Sequence, residues 1–102
     1  MSNITRRTVK VQNVRQLSSS TFVVRIDRGE LDFRPGQYIT LGLSGSNVSR
    51  EYSIYSGFDQ PYLEVLIKRV EEGTVSKQLV QQLPGAVLSC EGPFGYFTIN
   101  TM

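Results

Sequence analysis

The chain contains no histidine and a single cysteine, Cys90, among its 102 residues. The first absence removes the commonest general base, the commonest metal ligand, and every Ser–His or Cys–His nucleophile pair. The two together exclude an ordinary zinc site or a four-cysteine iron–sulfur cluster within the chain. One cysteine also forbids an internal disulfide, which suits a reducing cytosol and predicts a cytoplasmic protein. No apolar run approaches the roughly 18–20 residues that span a membrane. The opening Met1-Ser2-Asn3-Ile4-Thr5-Arg6-Arg7 has no apolar stretch behind its charges and does not read as a secretory signal. Nor is there much charge of one sign. The net charge is +2, and basic residues adjoin only at Arg6-Arg7 and Lys68-Arg69. A nucleic-acid binder concentrates its cations on one face, so nucleic acid is not the expected partner. If the protein does chemistry, a bound cofactor or another protein must therefore supply most of it.

What is present fits one soluble, globular domain over 1–102, with 39% apolar and 20% charged residues. The pattern is of short strands punctuated by turns. Val9, Val11 and Val14 mark a strand over 8–17, and Phe22, Val24 and Ile26 alternate with Val23, Arg25 and Asp27 in a second. A loop over 28–33 and the turn Pro35-Gly36 lead to a third strand over 37–43, with Ile39, Leu41 and Leu43 on one face. A Gly/Ser loop over 44–47 precedes a fourth strand over 50–56, and a turn at 57–61 precedes a fifth over 62–70. Val75, Leu79, Val80 and Leu83 fit one face of a short helix that Pro84-Gly85 stops. A strand over 86–90, a turn at Gly92-Pro93-Phe94-Gly95 and a last strand over 96–99 complete the chain. Six or seven antiparallel strands and one helix predict a sandwich or a barrel.

Two segments carry chemistry. In Arg50-Glu51-Tyr52-Ser53-Ile54-Tyr55-Ser56, strand alternation puts Arg50, Tyr52, Ile54 and Ser56 on one face. A guanidinium that forks onto phosphate oxygens then stands beside a ring that packs on a flat heterocycle. Gly73-Thr74-Val75-Ser76 opens the helix, where unpartnered N–H groups and two hydroxyls favour an anion. Each segment alone also has an ordinary reading, as an aromatic strand with a surface arginine and as a helix cap. Lys68-Arg69 reads as a solvated strand end that lies close before the same turn. Cys90 reads as a small buried hydrophobe, since no cation adjoins it in sequence.

In this order the pieces resemble the flavin domain of the ferredoxin–NADP reductase superfamily. The family signature Arg-x-Tyr-Ser, then aliphatic, x and Ser, is matched at Arg50–Ser56. Pro35-Gly36-Gln37-Tyr38 matches the preceding turn, Gly73-Thr74-Val75-Ser76 the helix-opening turn, and Gly92-Pro93-Phe94-Gly95-Tyr96-Phe97 the closing turn. The resemblance covers about Arg7 to Ile99 and implies an all-β fold: a six-stranded antiparallel Greek-key barrel with one short capping helix. It implies FAD as cofactor, with Arg50 on the pyrophosphate and Tyr52 against the isoalloxazine ring. Ser53 would lie near the flavin N5, so Tyr52 and Ser53 are the implied catalytic pair. Alternation points Ser53 away from Tyr52, so either the strand twists there or Ser53 acts through its backbone. Leu66, Ile67 and Lys68 would line the flavin, partly through main chain, and Gly73, Thr74, Val75 and Ser76 would complete the pyrophosphate site. No metal ligand is implied.

The implied activity is that of an NAD(P)H-dependent flavin oxidoreductase passing electrons to an iron–sulfur or haem partner. In the family a nicotinamide-binding α/β domain follows the barrel, and these 102 residues hold no Gly-rich dinucleotide unit. NAD(P)H is therefore expected on a domain or subunit outside this chain, which alone would not be a competent reductase. The other reading is a non-catalytic barrel that has lost flavin and serves protein contacts.

Overall fold

The computed structural model describes residues 5–70 and 73–95. Six strands form where apolar and polar residues alternate: β1 (Thr5–Gln16), β2 (Thr21–Asp27), β3 (Tyr38–Leu43), β4 (Arg50–Ser53), β5 (Tyr62–Lys68) and β6 (Val87–Phe94). One helix, α1 (Thr74–Leu79), lies between β5 and β6. All pairings are antiparallel, in the order β4-β3-β6-β1-β2-β5. Strand β6 slots between β1 and β3, which gives the Greek-key crossing. The two edge strands, β4 and β5, are consecutive in the chain. Among the described residues they form no ladder, being joined by the isolated bridge Ile54↔Val65 and by hydrogen bonds of Tyr55 and Ser56 with Glu64. The sheet thus curls into the expected barrel without closing its ladder, and a seam stays open between β4 and β5.

The inward faces fill that barrel. Val9 and Val11 of β1, Val24 and Ile26 of β2, Ile39 and Leu41 of β3, Leu63, Val65 and Ile67 of β5, and Leu88 and Cys90 of β6 form one buried cluster. Each such aliphatic side chain contributes about 1.5–3 kcal/mol on burial. Helix α1 closes the cluster with Val75 and Leu79. The loop over 28–33, which alternation leaves featureless, adds Leu31 and Phe33 to the core. Arg28 secures that loop, donating to the carbonyls of Leu31, Phe58 and Gln60 with its guanidinium 4.7 Å from the Phe33 ring.

Four departures from the sequence pattern have local causes. Val14 is out of phase with Val9 and Val11, yet it packs on the core, because the β1–β2 register slips between Val11 and Asn13. Gly92-Pro93-Phe94 continues β6 instead of turning. Gly92 pairs with Thr5 and Phe94 with Tyr38, and the proline sits beside a register shift in the β3–β6 ladder, where a strand tolerates it. Helix α1 ends at Leu79, not near Leu83. Beyond Val80 the amides of Gln81 and Gln82 bond three residues back, which tightens the chain into a turn and leaves Leu83 74% exposed. The fourth strand stops at Ser53 because the amides of Tyr55 and Ser56 cross to the Glu64 carbonyl. The expected strand over 96–99 lies outside the described residues.

Candidate functional site

The turn Arg34-Pro35-Gly36-Gln37 launches β3 and its partner β4. Pro35 fixes the first central position, Gly36 takes φ 91° at the second, and the Gln37 amide closes the turn on the Arg34 carbonyl at 3.2 Å. Strand β4 then pairs with β3 from Tyr38↔Ser53 to Leu41↔Arg50. Its other edge faces the open seam.

Where the seam widens there is a groove of about 680 Å³, lined by residues of β3, β4, β5, α1 and the loops between them. A ligand pocket falls in the same range, about 300–1,000 Å³. Arg50, Tyr52, Lys68, Gly73, Thr74, Val75 and Ser76 all line it. The described lining residues include no acidic side chain. Arg50 is exposed and bonds only the carbonyl of its neighbour Ser49, at 2.9 Å. Neither Arg50 nor Lys68 forms an ion pair among the described residues. Among the described residues, the groove thus offers an anion two cations that are in no ion pair.

Tyr52 supplies the flat surface. Its half-buried ring packs on the core cluster. Burial pushes the Tyr52 phenol up, and the nearby Arg50 charge opposes this without reversing it. The ring therefore stays neutral near pH 7, which suits packing rather than proton abstraction. Strand alternation persists through β4: Glu51 and Ser53 are exposed on the face opposite Tyr52. Ser53 does not line the groove. Ile67 does not either, since its side chain is fully buried in the core.

The Gly73–Ser76 turn is built from within. Ser76, 6% exposed, accepts the Val70 amide at 3.1 Å and donates to the Gly73 carbonyl at 3.4 Å. Its hydroxyl ties the end of β5 to the helix start, which shapes the wall without adding a free donor. Gly73 is the helix N-cap and carries no side-chain cap bond. A helix of six residues has too little aligned dipole to hold an anion alone. The cations of β4 and β5 give the place its charge.

Sequence reasoning passes over Leu43, Ser46, Val48, Val70 and Gln78, which also line the groove. Leu43 and Val70 read in the sequence only as strand residues, Leu43 on the apolar face of the third strand. Ser46 and Val48 lie in or just after the Gly/Ser loop and Gln78 on an exposed helix face, where no motif marks them. Gly42, just before that loop, is the one local signal. A Cβ on Gly42 would lie 2.4 Å from the Val48 carbonyl oxygen and 3.2 Å from Ser49 Cβ. Only glycine lets the 44–49 loop fold back on β3 just before Arg50. Gly42→Ala is expected to lower stability by about 1–3 kcal/mol, as overpacking does. A fall of about 5–20 °C in Tm would register it, and an unchanged Tm would show that the loop can stand off.

Cys90 is buried on the core side of β6. Burial pushes its thiol up, while Arg7, its partner across the β1–β6 ladder, pulls the other way without reversing the shift. A cation is therefore nearby that the linear sequence does not show, yet the thiol remains inert. Among the described residues, no cluster of Cys, Asp or Glu could hold a metal, and no helix is long and apolar enough to cross a membrane.

Known proteins sharpen this picture. The family described as "Oxidoreductase FAD-binding domain" matches residues 7–99, and the chain belongs to that family. It is 36% identical over 94 residues to the toluate 1,2-dioxygenase electron transfer component of Pseudomonas putida, covering 88% of this chain and 28% of that protein. It is 40% identical over 88 residues to ferredoxin–NADP reductase B of Sorangium cellulosum, covering 83% and 34%. Among solved structures, the cytochrome P450 reductase of Amycolatopsis superposes with a TM-score of 0.84 at 27% identity, covering 98% of this chain and 31% of that one. The chain thus spans roughly a third of the relatives it matches. The matched part is the flavin domain.

Proposed function

We propose that this domain holds FAD in the seam groove and forms the flavin half of an NAD(P)H-dependent oxidoreductase. The observation that carries the reading is the coincidence, in one groove, of the cations Arg50 and Lys68, which form no ion pair among the described residues, with the neutral ring of Tyr52. Bound FAD would supply hydride acceptance and one-electron release. The protein's part is to bind and orient. Arg50 forks onto the pyrophosphate and Lys68 adds a point charge beside it. Gly73, Thr74, Val75 and Ser76 bring backbone close to the same anion, with Thr74 free to donate. Tyr52 packs against the ring. Ser53 and Ile67 act through main chain at the open edges of β4 and β5, since their side chains point elsewhere. NAD(P)H would bind a nicotinamide domain or subunit outside these residues, and an iron–sulfur or haem protein would receive the electrons. The relatives' names, a dioxygenase electron transfer component and a ferredoxin–NADP reductase, support that pairing. The single unpaired thiol supports a cytoplasmic setting.

Purification in the presence of FAD tests the reading. A yellow complex with flavin absorbance at about one FAD per chain is expected. No such complex, either with this chain or with the chain joined to its nicotinamide-binding partner, would overturn it.

The strand that carries Lys68 also predicts an acid response. Glu64, 4% exposed on β5, accepts hydrogen bonds from Arg15 of β1 and from Arg25 of β2 at 2.9 Å. Burial pushes its carboxyl up, but the two guanidinium groups outweigh burial and hold it below the usual carboxylate range. A depressed folded pKa gives stability that is complete above the unfolded value of about 4.3 and is lost as pH falls through the folded one. Wild-type Tm is therefore expected to drop below about pH 4, and Glu64→Gln to flatten that part of the profile while lowering Tm at pH 7. Parallel profiles for the two proteins would remove Glu64 from the acid response.

A further inference from the structure

The groove opens where the barrel fails to close, and a set of hydrogen bonds between Ser56, Tyr55 and Glu64 lies at the point where closure stops. Three hydrogen bonds across the seam converge on Glu64. Its carbonyl accepts the amides of Tyr55 at 2.7 Å and Ser56 at 3.3 Å, and its own amide donates to Ser56 Oγ at 2.9 Å. Its carboxylate is held by Arg15 and Arg25, and the Arg25 guanidinium lies 3.7 Å from the centre of the Tyr62 ring. The backbone of one residue thus clasps the end of β4, while its side chain is braced by β1 and β2. Among the described residues, beyond the bridge Ile54↔Val65 strand β4 pairs only with β3 and β5 only with β2. The two groove walls diverge from that point.

We propose that Ser56 and Glu64 are positioning residues for the flavin, fixing where the seam opens and so the separation of the groove walls. This rests on the FAD reading above. Neither residue lines the groove, and both act through the strands that carry Tyr52, Arg50 and Lys68. At about 3.3 Å per residue, Tyr52 stands roughly 7 Å and Arg50 roughly 13 Å along β4 from Ile54. A swing of about 5° at the join would move Arg50 by about 1 Å, enough to spoil a bidentate phosphate contact. Ser56 is the last residue of the Arg50–Ser56 motif, and its hydroxyl serves there as the acceptor for the Glu64 amide.

Ser56→Ala, Ser56→Thr and Glu64→Gln, made in the full chain and titrated with FAD, test this. Ser56→Ala is expected to bind FAD about tenfold more weakly and to shift the visible spectrum of the bound flavin. Ser56→Thr keeps the acceptor and should restore both. Glu64→Gln keeps the backbone clasp but loosens its brace, and should fall between them. Alanine and wild-type proteins with affinities within twofold and superimposable bound-flavin spectra would overturn the proposal, even if Tm fell, because the clasp would then be structural only. Failure of Thr to rescue the spectrum would overturn it as well. Absence of FAD binding by the wild type would instead overturn the flavin reading, and the positioning role with it.

Discussion

Arg50→Ala should weaken FAD binding by roughly tenfold to hundredfold and leave the fold intact. Loss of a charged hydrogen-bonding partner costs about 1.5–3 kcal/mol, which converts to that range of affinity. The fold should be indifferent because Arg50 is exposed, forms no ion pair among the described residues and bonds only the adjacent Ser49 carbonyl. Surface substitutions of that kind stay within about 0.5 kcal/mol. Arg50→Lys separates charge from shape. It keeps the cation, loses the planar fork, and should fall between wild type and alanine. Titrating flavin-free protein with FAD, beside a thermal melt of each variant, measures both effects. Alanine affinity within twofold of wild type would show Arg50 idle and would favour a barrel kept for protein contacts.

Arg50 is legible in the sequence because strand alternation is a strict rule. Once Arg50–Ser56 reads as a strand, Arg50 and Tyr52 must share a face and Ser53 must oppose them, and β4 keeps this parity. The inward residues Val24 and Ile26 of β2 and Ile39 and Leu41 of β3 are legible for the same reason. Alternation fails where the ladder slips. The bulge after Val11 turns Val14 inward, and the irregular β3–β6 pairing carries a strand through Gly92-Pro93. Neither can be read from one strand, because a register shift belongs to a pair. Glu64 escapes notice for a related reason. On β5 it alternates outward like any solvated glutamate, and only the strands beside it bring Arg15 and Arg25 to cover it. The groove itself is a failure of two edges to meet. No single segment encodes it, although the order of motifs along the chain points to Arg50, Tyr52, Lys68 and Gly73–Ser76, which face it.

Leu79→Ala is expected to be the most damaging of these changes, and its pattern of damage is diagnostic. A helix of six residues has no stability of its own in water, where about 12–15 residues are marginal. Helix α1 persists because Leu79 is fully buried and Val75 is 6% exposed, both within the barrel cluster. Truncating a buried leucine costs about 2–5 kcal/mol, a large share of the roughly 5–15 kcal/mol that holds a domain together. Tm should fall by about 10–25 °C. The same leucine anchors the wall formed by Gly73, Thr74, Val75 and Ser76, so FAD affinity should fall with it, unlike a core change far from α1. Leu83→Ala is the matched control. Helical periodicity places Leu83 on the same face, but the chain has turned and left it exposed, so its loss should change Tm by no more than a few degrees. Equal damage from the two substitutions would mean that the helix runs on past Leu79. Saturating FAD supplies the last discrimination. A ligand at about a hundred times its Kd adds about 2.7 kcal/mol to the folded state. If α1 is a wall of the flavin site, that gain should be large in Leu83→Ala and much reduced in Leu79→Ala at the same FAD concentration.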